Sequence, residues 1–139
     1  MSLLIEAAAE FAKMQHAGQL DDTGANYFEA HILQVVNILK SVTSDEEILA
    51  AAYLHDTIED TNVTFETLVR MFGYAVADLV FEVTHTGQKD SQGFRFPNLQ
   101  TKNAVLIKYA DRLSNLSRMQ NWDEKRQAQY LRKSVFWSK

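Results

Sequence analysis

Residues that stop a helix are scarce in this chain: one proline and five glycines are spread over 139 positions, so long stretches run without a breaker. A turn-rich β-sandwich needs punctuation every few residues, and this pattern denies it. The expectation is therefore an all-α fold, a compact bundle of about seven helices built around one core. With 46% hydrophobic residues the chain can fill such a core.

The periodicity locates the helices. Leu4, Ala8, Phe11 and Ala12 share one face of a helix over about residues 3 to 17, stopped near Gly18, and "GQLDDTGANY" follows as a loop. His31, Val35, Ile38 and Leu39 repeat at helical spacing over about 28 to 41, which puts a histidine on a buried stripe. Ser44 or Asp45 caps a third helix through "EEILAAAYLHD", and its alanines suit close packing in the middle of a bundle. Thr64 caps and Gly73 stops a short helix, and "YAVADLVFEVTH" carries Val76, Leu79, Val80 and Val83 on one face. About residues 86 to 97, "TGQKDSQGFRFP" has no period and reads as the longest loop. Helix returns in "NLQTKNAVLIKYADRLSNLSRM" and again in "DEKRQAQYLRKSVFW". Without a repeat or linker, residues 1–139 read as a single domain.

Bulk properties narrow the partners. A net charge of −4 offers no basic footprint for a nucleic-acid polymer, so a small molecule is the expected ligand. No cysteine is present, so any metal must be held by imidazole and carboxylate. "MSLLIEAAAEFAK" lacks the basic lead of a signal peptide and "AVADLVFEV" is too short to span a bilayer, which points to a soluble, cytoplasmic protein without a membrane partner. The aromatic-rich "YLRKSVFWSK" leaves homo-oligomerisation open.

The chemistry concentrates in "AAYLHDTIEDTNVT". If this segment stays helical, His55 and Glu59 lie one turn apart, as do Asp56 and Asp60, so four polar groups form two adjacent stripes. His55 and Asp56 diverge by about 100° and can share an ion only where it sits close to the backbone, as a helix end allows. Two further helices carry polar residues on apolar stripes, His31 and Asp111, and the four together make an N₂O₂ donor set. Such donors suit Mn²⁺, Fe²⁺, Co²⁺ or Zn²⁺. Lys108, Asp111, Asn115 and Arg118 continue one polar stripe, the arrangement a metal-bound phosphorylated substrate would meet. In "GFRFP", Phe94 or Phe96 could stack on a base while Arg95 meets a phosphate. His16 and His85 read as surface or packing residues.

"AAAEFAKMQHAGQ", "YFEAHILQVVNIL", "AAYLHDTIEDTNVTFETLVRMFGYAVADLVFEVT" and "VLIKYADRLSNL", taken in order, resemble the hydrolase domain of the Rel/SpoT family and its small stand-alone relatives, within the HD superfamily of metal-dependent phosphohydrolases. The resemblance implies that His31, His55, Asp56 and Asp111 hold one divalent metal, Mn²⁺ by family habit, with Fe²⁺, Co²⁺, Zn²⁺ or Mg²⁺ as alternatives. It implies that Glu59 and Asp60 orient or activate the attacking water, and that Asn115 contacts a ribose. The implied reaction removes the 3′-diphosphate of guanosine tetra- or pentaphosphate. One departure bears on substrate: Leu20, Asp21 and Asp22 stand where the family carries a basic, base-stacking run. A phosphomonoesterase acting on a nucleoside monophosphate or on the 2′-phosphate of NADPH is the alternative enzyme, and a catalytically silent binding module is the alternative outside catalysis.

Overall fold

The computed structural model describes residues 3–21, 24–84 and 101–117, and within them the expectation of an all-α bundle is met. The helices are α1 (Leu3–Gln15), α2 (Leu33–Lys40), α3 (Glu46–Leu54), the single turn α4 (Thr57–Asp60), α5 (Phe65–Phe72), α6 (Tyr74–Val83) and α7 (Lys102–Leu116). Six of them run two turns or more. The further helix expected over "DEKRQAQYLRKSVFW" and the loop "TGQKDSQGFRFP" lie outside the described residues.

Helix α3 is the axis. From Ile48 to Leu54 every side chain is buried, and the methyl groups of Ala50, Ala51 and Ala52 let α1 and α6 pack closely against it. Helix α7 lies across α2 and α6, bringing Ile107 and Ala110 into the same core. The caps follow the sequence. Asp45 accepts from the backbone N–H groups of Glu47 and Ile48 at the start of α3. Thr64 accepts from Thr67 N at the start of α5. Gly73 ends α5 with φ +92°, a conformation that a β-carbon would strain. Thr101 caps α7 and also bonds the Glu82 carboxylate through its N–H and hydroxyl, tying α7 to the end of α6.

Three local departures shape the site. The helix expected over 28 to 41 begins as a π turn, Phe28–Ile32, closed by the Leu33 N–H on the Phe28 carbonyl, before regular α2. The motif does not stay helical: α3 stops at Leu54, the chain tightens at His55, and Asp56 sits at φ −103°, ψ 1°, the bridge region that interrupts a helix. Thr57 stabilises the break by donating to the Leu54 carbonyl at 2.7 Å. The loop after α1 is a tight hairpin. Asp21 N bonds Ala25 O at 2.8 Å, Tyr27 N bonds Gln19 O at 2.9 Å, and Leu20 pairs with Asn26 in an antiparallel bridge.

Candidate metal centre

The break between α3 and α4 resolves how adjacent residues face one point. His55 projects from the C-cap of α3 and Asp56 from the N-cap of α4, so their tips converge, with His55 Nε2 3.2 Å from Asp56 Oδ2. The stripe joining His55 to Glu59 is thereby split, whereas Asp60 keeps its helical bond to Asp56 through its N–H on the Asp56 carbonyl. The π turn delivers His31 and α7 delivers Asp111. Asp111 Oδ1 lies 2.9 Å from His31 Nε2 and 3.3 Å from His55 Nε2, and one donor atom from each of His31, His55, Asp56 and Asp111 lies within 4.8 Å of the others. All four expected ligands meet in one place.

The outer hydrogen bonds fix which imidazole nitrogen faces inward. His55 Nδ1 lies 2.7 Å from the Ala52 carbonyl, which only accepts, so Nδ1 carries a proton and Nε2 is the nitrogen turned to the cluster. For His31 the same result follows through three partners. The Ser117 hydroxyl donates to the Ser114 carbonyl, so it accepts from Gln34 Nε2; Gln34 Oε1 then accepts from the Ser114 hydroxyl, and Ser114 Oγ accepts from His31 Nδ1. Both Nε2 atoms thus face two carboxylates, an arrangement that a shared proton or a bound metal ion reconciles. Residues holding the distal nitrogen of each ligand histidine are how metal sites set tautomer and basicity.

The electrostatics agree. Burial alone would raise the Asp111 carboxyl, but Lys108 and the two imidazoles hold it well below the usual carboxylate range. Burial works the same way on Asp56, where His55 overrides it and lowers the carboxyl. Burial would depress His55, yet Asp56 and Asp111 raise its proton affinity well above the ordinary imidazole value. The field that draws a proton to His55 Nε2 also draws a divalent cation.

The remaining expected residues are placed as follows. Glu59 and Asp60 are exposed on α4, within one turn of the expected ligand Asp56. Partial burial and the charge of Asp56 raise the Asp60 carboxyl, with a bond from Gln19 opposing. Asn115 is half-buried on α7. Lys108 departs from an open stripe: it is 2% exposed and its Nζ lies 3.1 Å from Asp111 Oδ2, the oxygen turned away from the histidines. Arg118 and Arg95, with His85, Phe94 and Phe96, lie outside the described residues, as does Asp22. His16 is buried and packs on Tyr27, within the packing role expected of it.

Sequence reasoning missed Tyr27, Gln19, Ser114 and Gln34. Tyr27 donates to Asp56 Oδ2 at 2.5 Å, and its ring lies 5.3 Å from those of both His16 and His31. Burial first, then Asp56, pushes the Tyr27 phenol far above its ordinary value, so it stays a donor. The available signal was that Tyr27 and His31 lie one turn apart.

Comparison with known proteins agrees with this geometry. Residues 8–104 match the model of the HD domain, and the chain belongs to that family. Its relatives within the family are more particular. It is 35% identical to the guanosine-3′,5′-bis(diphosphate) 3′-pyrophosphohydrolase MESH1 of Drosophila melanogaster, with 87% of this chain and 75% of that protein aligned. It is 38% identical over 81% of its length to the guanosine-3′,5′-bis(diphosphate) 3′-pyrophosphohydrolase of Aquifex aeolicus, of which it spans only 17%. The solved structure of a metazoan ortholog of SpoT that hydrolyzes ppGpp and plays a role in starvation responses matches with a TM-score of 0.76 at 28% identity, covering 97% of this chain and 85% of that one. Among the described residues no helix is long and apolar enough to cross a membrane.

Proposed function

We propose that the chain is a phosphohydrolase dependent on one divalent metal, Mn²⁺ in its working form, that removes the 3′-diphosphate of guanosine tetraphosphate as a single cytoplasmic domain. The observation that carries the reading is the inward-facing N₂O₂ set with both histidine tautomers fixed from outside. When bound, a divalent ion supplies Lewis acidity, making water a nucleophile near neutral pH and polarising a phosphoryl oxygen. The names of the MESH1 relative and of the SpoT ortholog support the substrate.

The chain's own residues divide the remaining work. Glu59 and Asp60 are the acids available beside the cluster, and one of them takes the proton of the water that adds to phosphorus and returns it to the 3′ oxygen as that P–O bond breaks, giving the 3′ hydroxyl and pyrophosphate. Lys108 keeps the Asp111 carboxylate ionised and adds positive charge where phosphate charge develops. Asn115 offers an amide to the ribose, and Arg95 and Arg118 are proposed phosphate contacts. Asp21 accepts from the Ala25 N–H, so this acid serves the hairpin at a place where the family carries a base-stacking cation. That substitution favours, as a second reading, a monoesterase with a different base or phosphate.

A nucleotide panel with Mn²⁺ and identification of the phosphate product tests both. Pyrophosphate from guanosine tetraphosphate supports the main reading. Orthophosphate from a nucleoside monophosphate or NADPH, with guanosine tetraphosphate untouched, replaces it with the second.

A further inference from the structure

The geometry points to Gln19, held by His16, as a positioning residue that sets the orientation of the Asp60 carboxylate. The inference rests on the proposed role of Asp60. Gln19 Nε2 donates to Asp60 Oδ2 at 3.4 Å, a long bond at an exposed place and weak by itself. Its other end is anchored much better: Gln19 Oε1 lies 2.7 Å from His16 Nδ1, and His16 is 1% exposed. The backbone is pinned as well, because the Gln19 carbonyl accepts from Tyr27 N across the hairpin and its N–H donates to the His16 carbonyl, both at 2.9 Å.

The polarity of this chain is determined. An ionised Asp60 only accepts, so the amide must turn Nε2 toward it and Oε1 toward His16, which then carries its proton on Nδ1. Were His16 protonated on Nε2 instead, its Nδ1 lone pair would oppose Oε1 and drive the amide to flip, presenting an oxygen to the carboxylate. His16 Nε2 is buried and meets no hydrogen-bond partner among the described residues. Buried polar atoms are rarely left so, and here the fold leaves one nitrogen unmet while keeping the other on Gln19. The hairpin thus reaches both the cap and the last residue of the α4 turn, Tyr27 bonding Asp56 and Gln19 bonding Asp60.

The test compares Gln19→Met, His16→Phe and His16→Asn in the Mn²⁺-loaded full chain with guanosine tetraphosphate. Gln19→Met keeps the side-chain length without the amide; His16→Phe keeps the ring without a donor; His16→Asn restores an N–H near the Nδ1 position. Gln19→Met and His16→Phe should lower kcat by on the order of tenfold to a hundredfold, part of what a positioned base contributes. KM and Mn²⁺ affinity should change little, and His16→Asn should recover most of the loss. The variant combining Gln19→Met with His16→Phe should be no worse than Gln19→Met alone, since the two residues act as one unit. Parental kcat in Gln19→Met, or equal impairment in both His16 variants, overturns the inference.

A second readout needs no turnover. The ¹⁵N shifts of His16 should show the Nδ1–H tautomer in the parent and a shift toward Nε2–H in Gln19→Met and in Asp60→Ala. An Nε2–H tautomer in the parent, or a tautomer indifferent to both substitutions, rejects the geometry even if the protein hydrolyses another substrate. A parent inactive on guanosine tetraphosphate that still shows the tautomer shift supports the positioning while refuting only the substrate.

Discussion

The two halves of the proposed site, metal ligands and water-handling acids, are built to different standards. On the ligand side, each histidine has its outer nitrogen held, Asp111 has Lys108 on its outer oxygen, and Asp56 has Tyr27, all at 3.1 Å or less. On the water side, Glu59 and Asp60 stand exposed, and Asp60 receives one long bond from a loop residue. The ligand half must exist before the ion arrives, because converging like charges and lone pairs are tolerable only where the surroundings dictate their geometry. The acid half must admit a substrate and exchange a proton, and acids locked on every atom would do neither.

Substitutions can break this contrast. His55→Ala removes a ligand and one end of the break between α3 and α4, so both Mn²⁺ binding and hydrolysis should fall below detection, read by metal titration and product assay. Glu59→Gln should lower kcat by about 10²- to 10⁴-fold while Mn²⁺ affinity stays near the parent, the range expected of a general base. Equal loss of metal in this variant would erase the distinction between the halves. Ser114→Ala takes the acceptor from His31 Nδ1 and should weaken Mn²⁺ binding about 10- to 100-fold with kcat at saturating metal little changed.

The mildest effect is that of pH. Because Asp56 and Asp111 raise the proton affinity of His55 above the ordinary 6.5, protons compete with the ion at higher pH than at a free imidazole. Affinity should therefore be full above that raised value and fall by about tenfold per pH unit below it, measured by competition with a chelator. Affinity unchanged down to pH 6 would mean that His55 is not a ligand.

The ligand half was also the more legible. His31 and Asp111 interrupt apolar stripes at helical spacing, and Asp45, Thr64 and Gly73 are local signals whose partners lie within a few residues. Such features need no knowledge of the fold. Gln19 reaches Asp60 across 41 positions and Tyr27 reaches Asp56 across 29, and no period connects them. Lys108 was read on a polar stripe with Asp111, but its burial depends on α7 crossing α2 and α6, which the stripe does not report. The break at His55 and Asp56 was hidden because it carries no glycine or proline to mark it; the Thr57 hydroxyl bonds the Leu54 carbonyl three residues back, a local choice that one sequence does not announce.

The π turn from Phe28 to Ile32 holds one more residue than an α-helical circuit would use. Removing a single residue from it would restore regular winding and rotate His31 by about 100° relative to α2. The segment can therefore absorb many exchanges of side chain yet almost no change of length, and a gap of one there would separate a member that keeps every ligand letter from one that keeps the ion.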